Sequence, residues 1–380
     1  MHQRTIDGFA VSTVGIGEFR LATCELRGVS DIERTLHHAL RSNLTFVEVA
    51  DEDIAERMVG DAVRSLRLRD VVMVATRIPN RRELPAPGYV QQQVEASLRA
   101  SKLDALPLAM LPLSTAWLAS SAWLDLAGTL VRLVREGKVL RWGARLDLAG
   151  AERDGRLTEE LEAAAALRDP FCAISIALSA CDRRGLPLLE GVITKPPPVV
   201  KKKKKPAGLI VSLDDADDDL LADPQLAALV GMIPKQPEVV EPERVKSLPI
   251  LAREPLAGGA LAGMLGPGMR MSPRDDRQSI DAATLQRIAV AAAALAPLVR
   301  DQPPAARSSE AAKQMLERGK RPEHVEAFTL AELALRFVVD RGAIALPRLH
   351  QRDYVTAALI AGSAKPLSSA VHERLIAVLS

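Results

Sequence analysis

Short apolar runs alternate with helical patterns eight times along this chain of 380 residues. The run Asp70–Arg77, DVVMVATR, is almost continuously apolar, which is typical of a parallel strand covered on both faces. Helical patterns follow such runs, as at Leu124–Glu136, which ends at a C-terminal stop signal, Gly137. Eight such repeats predict an α/β protein with a closed (β/α)8 TIM barrel. No G-x-G-x-x-G motif follows a strand, which argues against an open dinucleotide-binding sheet.

The predicted strands and helices are short, as expected for a barrel preceded by an N-terminal hairpin. The strands are predicted at Val11–Gly17, Thr45–Ala50, Asp70–Arg77, Leu106–Leu111, Leu140–Arg145, Phe171–Ser179, Leu248–Arg253 and Ala343–Leu346. The clearest helices are predicted at Ile32–Arg41, Ile54–Leu66, Val90–Ala100, Leu124–Glu136 and Leu157–Leu167.

Two segments interrupt this pattern within one predicted barrel domain of residues 1–380. Residues 191–247 carry a proline cluster, the lysine run Lys201–Lys205 and an acidic run. We interpret them as a charged, flexible insertion after the sixth strand. The lysines also suggest an anion or nucleic-acid contact, but no aromatic residues are interleaved for base stacking. Residues 282–322 begin with an Ala-rich pattern and are interpreted as a helical insertion before the eighth strand.

The charge and cysteine content exclude several classes of protein. The net charge is +2, which produces no global attraction for nucleic acid or membranes. No apolar run reaches the roughly 18 residues that span a bilayer, and the N-terminus shows no secretory pattern. Cys24, Cys172 and Cys181 are widely spaced without a C-x-x-C motif, so neither a disulfide framework nor zinc is expected. We therefore expect a cytoplasmic protein without a membrane or nucleic-acid partner.

Several motifs occur in an order that resembles the aldo/keto reductase superfamily. In chain order they are VSTVGIG, TFVEVADEDIAERMVG, VATRIP, VEASLRASKLDALPLAML, REGKVLRWGARL, REPLAGGALAG and LAELALRFVVDRGAIALP. Each motif alone is weak, but together they are collinear with that family over about 300 residues. The resemblance implies a barrel that reduces carbonyl compounds with NADP.

The catalytic positions implied by the resemblance hold other residues. The family uses a Tyr as general acid, a Lys–Asp pair that makes it more acidic, and a His that orients the carbonyl. Asp53 stands for the Tyr and, when ionised, has no proton to donate. Arg77 stands for the Lys and Glu48 for the Asp, and an arginine cannot be tuned as a lysine can. Pro112 stands for the His and has no donor.

The positions that hold the nicotinamide in the family are also changed. Its Ser-Asn pair, which binds the carboxamide, is Arg145 and Leu146 here. Its Gln on the sixth strand aligns with Ser175, and the aromatic residue that stacks on the ring is Arg253. Because these positions are changed, we expect no cofactor, and we expect NADP only if the chain is a reductase.

The positions implied for the cofactor phosphates are better kept. Glycines in the loop Pro255–Gly263 can present backbone N–H groups to a phosphate, although they also make a turn. Two arginines after the eighth strand can contact a 2′-phosphate. The candidate cofactor residues are Pro255, Leu256, Gly259, Gly263, Arg348 and Arg352.

A second grouping of charged residues follows the second strand. The carboxylates are Glu48, Asp51, Glu52, Asp53 and Glu56, with Arg77 and Arg145 at neighbouring strand ends. Such a group can bind a metal or polar ligand, or it can be an ion-pair network that fills a vacated pocket. No histidine joins it, which favours the network and no metal site.

Three functional hypotheses follow. The first is an aldo/keto-reductase-like pseudoenzyme with a binding, scaffold or regulatory role, and with a protein partner at the barrel mouth or the charged insertion. The alternative is an NADP-dependent oxidoreductase with an altered proton donor. A third is an acid/base enzyme that uses Glu48 and Asp53 with separated pKa values.

Overall fold

The computed structural model describes residues 1–21, 28–193, 244–245, 247–262, 282–301 and 327–378. The strands in chain order are β1 (Gln3–Ile6), β2 (Phe9–Ser12), β3 (Ile16–Phe19), β4 (Phe46–Val49), β5 (Met73–Arg77), β6 (Leu108–Pro112), β7 (Trp142–Arg145), β8 (Phe171–Ala177), β9 (Val192–Ile193), β10 (Arg244–Val245), β11 (Ile250–Arg253), β12 (Val299–Asp301), β13 (Ala327–Thr329) and β14 (Ile344–Leu346).

Eight of these strands, β3 to β8, β11 and β14, form one parallel sheet in chain order. Two backbone hydrogen bonds close it into a barrel, from Gly15 N to Ala345 O at 2.9 Å and from Gly17 N to Pro347 O at 2.8 Å. The predicted TIM barrel is thereby confirmed, as is the N-terminal hairpin, in which β1 pairs with β2.

Helices surround the barrel. They are α1 (Val29–Arg41), α2 (Asp53–Ser65), α3 (Pro87–Ser101), α4 (Ser121–Arg135), α5 (Leu148–Arg153), α6 (Leu157–Ala165), α7 (Leu186–Glu190), α8 (Ala282–Leu295), α9 (Leu330–Asp340), α10 (Arg352–Ser363) and α11 (Ser369–Val378). Short 3-10 segments lie at Thr115–Ala119, Ala257–Ala262 and Ala296–Leu298. Neighbouring helices contact one another around the ring, and α1 contacts both α2 and α10.

The predicted first strand, Val11–Gly17, is wrong in its bounds. The chain leaves the hairpin at Ser12 and enters the barrel at Ile16. The change of path depends on close backbone contact, because a Cβ added to Gly17 would lie 2.0 Å from the carbonyl oxygen of Leu346. Apolar character continues through both segments, so the sequence alone did not show where one strand ended.

Two apolar cores lie on opposite sides of the barrel wall. The inner core includes Phe46, Met110 and Leu251 from the strands, together with Ile6 and Val11 from the hairpin. The hairpin thus closes one end of the barrel. The outer core packs strand residues against helices, and it is much larger because every helix contributes an apolar face.

The predicted insertions fall partly outside the described residues. Contacts divide the chain into a unit of Met1–Val192 with Lys246–Ser380 and a second unit of Ile193–Val245. Lys201–Lys205 lie outside the described residues. The helix expected at the start of 282–322 is α8, and a short parallel pair, β12 with β13, follows it. Within the described ranges, no helix is long and apolar enough to cross a bilayer.

Candidate functional site at the barrel mouth

The barrel mouth is the end where the parallel strands finish, opposite the hairpin. Side chains alternate along a strand, so residues two positions beyond an inner-core residue also face the interior. Phe46 and Leu251 belong to the inner core, which places Glu48 and Arg253 at the mouth. A Cβ on Gly143 would lie 2.4 Å from the Met110 sulfur, so β7 also faces inward there, and Arg145 follows two residues later.

Charged side chains from six strands or their following loops meet at this end. Hydrogen bonds, strand register and electrostatic coupling connect them. We call them the mouth cluster, and its members are Glu18, Arg20, Glu48, Arg77, Arg145, Ser175, Arg253 and Arg348. Among its named members, the cluster holds five guanidinium groups and two carboxylates, an excess of arginines over acidic side chains.

Glu18 on β3 is the acidic centre of the cluster. It accepts hydrogen bonds from Arg77 Nη1 at 2.8 Å and from Arg348 Nε at 2.9 Å. Burial alone would raise the pKa of Glu18, but Arg348, Arg77 and Arg20 outweigh it and lower the pKa to about 2. Glu18 has a φ of 44°, and the β3–β4 register shifts next to it. This local irregularity directs its carboxylate toward the arginines.

Arg145 and Arg253 lack such a carboxylate. Arg145 donates to the side-chain oxygen of Asn80 at 2.6 Å, and Arg253 donates to the carbonyl oxygen of Leu146 at 3.0 Å. Burial is the main cause that lowers the pKa of Arg145 to about 10, followed by repulsion from Arg253 and Arg77. Arg145 therefore remains charged at neutral pH, and it is repelled by Arg253 and Arg77 and attracted more weakly by Glu48 and Glu18.

Two side chains of the cluster are almost fully buried, and none of their polar side-chain atoms has a hydrogen-bond partner among the described residues. Glu48 is 1% exposed and Ser175 is 0% exposed. The two carboxylate oxygens of Glu48 have no hydrogen-bond partner among the described residues. The hydroxyl of Ser175 has none there either. Ser175 lies beside Arg145 in the β7–β8 register. Buried polar atoms normally have hydrogen-bond partners, so these two mark a candidate binding site.

The structure brings together three of the four residues at the family's catalytic positions. Glu48 and Arg77 belong to the mouth cluster, and Pro112 at the end of β6 pairs in register with Arg145. Asp53 is different, because it is the first residue of α2 and is exposed. The hypothesis that pairs Glu48 with Asp53 as acid and base therefore joins a buried group to a surface group.

The glycine loop after β11 forms a tight turn. Gly258 and Gly259 have φ values of 66° and 95°, and such conformations favour glycine. The Gly259 N–H donates to the carbonyl oxygen of Leu256 at 3.0 Å, so that group is used within the turn. Pro255 is buried, whereas Gly263 lies outside the described residues. A phosphate-binding role for this loop stays a prediction.

The two candidate arginines after β14 have different surroundings. Arg348 is engaged with Glu18 in the mouth cluster. Arg352 is exposed at the start of α10 and lines a surface cleft of about 380 Å³ with residues of α1. The α1 residues of this cleft are Glu33, Arg34, His37, His38 and Arg41.

The predicted acidic grouping does not converge on one point. Glu52 accepts the backbone N–H of Leu21 at 3.0 Å, and Glu56 accepts from Ser97 Oγ at 2.7 Å. Glu48 instead faces the barrel interior. Among the residues that the structure describes, no group of three or more His, Cys, Asp or Glu side chains could hold a metal ion.

Sequence reasoning did not identify Glu18 or Asn80 as site residues. Glu18 directly follows the G-I-G sequence of the first barrel strand, where a charged residue among apolar neighbours was an available signal. Asn80 follows β5 by three residues, and its contact with Arg145 depends on the path of the loop. No local pattern of residues indicated that contact.

Comparison with known proteins places the fold. No family model and no curated protein matches this sequence. The chain is similar to a holo aldo-keto reductase of Bacillus halodurans, with a TM-score of 0.57 and 15% identity over 100% of this chain and 96% of that one. It is also similar to a glycerol dehydrogenase of Gluconobacter oxydans, with a TM-score of 0.58 and 15% identity over 99% and 94%.

A third similar structure is an aldo-keto reductase of Klebsiella pneumoniae in complex with NADPH. Its TM-score is 0.51, with 18% identity over 99% of this chain and 94% of that one. These identities are low, so the comparison establishes architecture alone. The resemblance predicted from motif order is confirmed at that level: this chain has the fold of the aldo-keto reductases.

Proposed function

We propose that this protein uses an aldo-keto-reductase barrel for binding or regulation and has lost carbonyl reduction. One observation carries the proposal. At the mouth, where barrel enzymes place their chemistry, the described chain has a salt-bridged arginine cluster in place of a proton donor. Arg77 donates to Glu18, Pro112 has no donor, and Asp53 lies on the surface.

Carbonyl reduction requires a proton for the oxygen when a hydride reaches the carbon. A guanidinium holds its proton too tightly to act as the acid at neutral pH. Glu18, with a pKa of about 2, is ionised and has no proton to give. The two tyrosines do not replace it: Tyr89 lies on α3, 4.0 Å below the Arg81 guanidinium, and Tyr354 lies on α10.

The residues at the nicotinamide positions do not fit a nicotinamide. Arg253 stands where the resemblance places a stacking aromatic residue, and its guanidinium donates to Leu146 O. Arg145 stands where the carboxamide would be bound. Its guanidinium is positively charged, and so is an oxidised nicotinamide ring, so the two would repel each other. We therefore infer that these residues do not hold a nicotinamide ring. Arg352 and the turn at Gly259 remain candidates for phosphate contacts.

The test is a pair of measurements on the purified full-length chain. NADPH consumption is followed with a panel of aldehydes and ketones, and NADPH binding is followed by calorimetry. We expect no carbonyl-dependent oxidation above a protein-free control. Reduction that disappears in both Glu48→Gln and Asp53→Ala would refute the proposal, because it would assign chemistry to the altered positions.

The second candidate is an NADP-dependent oxidoreductase with an altered proton donor. It is favoured by the similarity to a structure that contains NADPH and by the retained glycine loop. It requires saturable NADPH binding that weakens in Arg352→Gln, and hydride transfer to some carbonyl. Binding without transfer would instead support a regulatory role that senses the cofactor.

A protein partner at the mouth or at residues 191–247 is part of the same proposal. The five consecutive lysines supply a positively charged segment that an acidic partner surface would attract. A chain with Lys201–Lys205 changed to Gln should lose the interaction with any partner that binds there. An interaction unchanged by that replacement would assign the partner to another surface.

A further inference from the structure

We infer that the mouth cluster binds a small organic oxyanion, a carboxylate or a phosphate ester, that also carries a hydroxyl group. This inference rests on the proposed loss of nicotinamide binding and names the class of ligand that replaces it. Four observations carry it: the excess charge, two arginines without a hydrogen-bonded carboxylate, an unpartnered serine and an unpartnered glutamate.

The excess positive charge lies in a partly enclosed place. Side-chain exposure falls from 34% at Arg348 and 22% at Glu18 to 11% at Arg77. Glu48, deeper in the barrel, is 1% exposed. The charged groups therefore extend from the exposed rim of the mouth to the buried Glu48, where attraction for an anion is weakened less by water than at the surface.

Arg145 and Arg253 are the groups that would hold the anion. Their hydrogen bonds go to Asn80 and to the Leu146 carbonyl, and Glu48 and Glu18 attract Arg145 without a hydrogen bond to it. The Nε–H of each arginine is buried without a partner among the described residues. The two arginines repel each other. A carboxylate or phosphate placed between them would relieve this repulsion and accept several charge-assisted hydrogen bonds.

Ser175 supplies a neutral donor at the same place. It neighbours Arg145 on one side and Leu251 on the other in the strand register. Its buried hydroxyl has no partner among the described residues, so it can donate to the same oxyanion. The cluster should bind an inorganic cation poorly, because arginines outnumber carboxylates among its members.

Glu48 adds a requirement for a donor on the ligand. Both of its oxygens are buried without a donor from the described chain. A simple anion leaves them unsatisfied, whereas a hydroxyl group on the ligand can donate to them. The site should therefore discriminate between anions that differ by a single hydroxyl group.

The experiment uses two matched pairs of probes with the full-length chain. Propyl phosphate is compared with 2-hydroxypropyl phosphate, and succinate is compared with malate, by calorimetry and by thermal shift. We expect the hydroxylated member of at least one pair to bind about tenfold more tightly than its partner. The pair that binds identifies the oxyanion as phosphate or carboxylate.

Variants connect the binding to the named side chains. Arg145→Gln and Arg253→Gln should each weaken the preferred probe about tenfold or more. Arg253→Lys keeps the charge and should lose less affinity than Arg253→Gln. It therefore tests the role of the charge even if Arg253→Gln fails to fold. Glu48→Leu should bring the ratio between paired probes close to one. Arg69→Gln is the control, because Arg69 precedes β5 at the opposite end of the barrel and pairs with exposed Asp104.

Two results would overturn the inference. One is the absence of binding by all four probes at millimolar concentration, and the other is binding that persists unchanged in both arginine-to-glutamine variants. Equal affinity within both pairs would remove the assigned role of Glu48. Carbonyl reduction with NADPH is measured on the same samples, so failure of the proposed function is seen separately from failure of anion binding.

Discussion

The Nε of Arg348 donates to Oε2 of Glu18 at 2.9 Å, so an ion pair joins the first barrel strand to the loop after the last one. The backbone hydrogen bonds that close the barrel lie next to it, from Gly17 N to Pro347 O at 2.8 Å. Glu18 thus links barrel closure to the charged mouth. Its removal should affect stability as well as the arrangement of the arginines.

We predict that Glu18→Gln lowers the free energy of unfolding by about 2–3 kcal/mol at pH 7. The pKa of Glu18 is about 2 in the folded protein against an ordinary value of 4.5, so its stabilisation is fully present above pH 4.5. That stabilisation is lost as the pH falls from 4.5 toward 2. Urea unfolding at several pH values would measure the effect.

The control for this prediction is Glu159→Gln, because Glu159 is exposed on α6. We expect its unfolding free energy to stay within about 0.5 kcal/mol of the parent protein. Equal stability of Glu18→Gln and Glu159→Gln at pH 7 would contradict a stabilising role for the Glu18 ion pairs.

Glu56 should give the opposite dependence on pH. It is 5% exposed between α2 and α3, and burial is the largest cause that raises its pKa to about 7; Asp53 and Asp51 add to this, and the hydrogen bond from Ser97 opposes it. Its protonated form is favoured in the folded state, so stability contributed by this proton is present below pH 4.5 and lost as the pH rises through 7.

Replacing Glu56 with glutamine removes the loss of stability that its ionisation causes at high pH. Glu56→Gln should increase the free energy of unfolding at pH 8 by roughly 1–3 kcal/mol relative to the parent, and by much less at pH 4.5. Unfolding curves at these two pH values test the prediction. An equal gain in unfolding free energy at pH 8 and at pH 4.5 would show that Glu56 does not titrate between these two pH values.

Two helical glycines make a matched test of packing. A Cβ added to Gly60 on α2 would lie 2.0 Å from the carbonyl oxygen of Ser101, whereas one added to Gly128 on α4 has no atom within 4 Å. Gly60→Ala should destabilise the protein by about 1–3 kcal/mol. Gly128→Ala should stabilise it by up to about 1 kcal/mol, because alanine favours a helix. The unfolding temperatures of both variants test this prediction. Equal shifts in unfolding temperature would show that α2 and α3 are more loosely packed than described.

The two described cysteines should be unreactive in the native protein. Burial raises the pKa of Cys172 to about 12 and that of Cys181 to about 11. Since the thiolate is the reactive form, alkylation at pH 8 should be about a hundredfold slower than in urea. Mass spectrometry after iodoacetamide treatment assigns the rate to each site. Fast native labelling of either cysteine would show that its surroundings open to solvent.

The pattern of apolar runs predicted the barrel because buried parallel strands and amphipathic helices have distinct periods. The expected helix Ile54–Leu66 is found at Asp53–Ser65, with Ala55, Val59, Ala62 and Val63 on its buried face. The boundary of the first strand was wrong, because the hairpin and β3 are both apolar and a close contact at Gly17 decides the path between them.

The candidate site was only partly predictable. Alternation along β4 and β5 was enough to place Glu48 and Arg77 at strand ends, and the resemblance in motif order led us to expect them at catalytic positions. The same motif placed Asp53 beside them, but the first turn of α2 turns that side chain to the surface. The separate partners of Glu52 and Glu56 likewise depend on packing against other segments.

The sequence by itself determined the order of the barrel strands and of the helices between them, since this order follows from local periodicity. The tertiary structure decided which of those residues meet. Closing the barrel brings Glu18 next to Arg348, 330 positions away in the chain. It also brings Arg145 near enough to Arg253 for the two guanidinium groups to repel each other. Such distant contacts depend on barrel closure, strand register and loop path, which the local pattern does not contain.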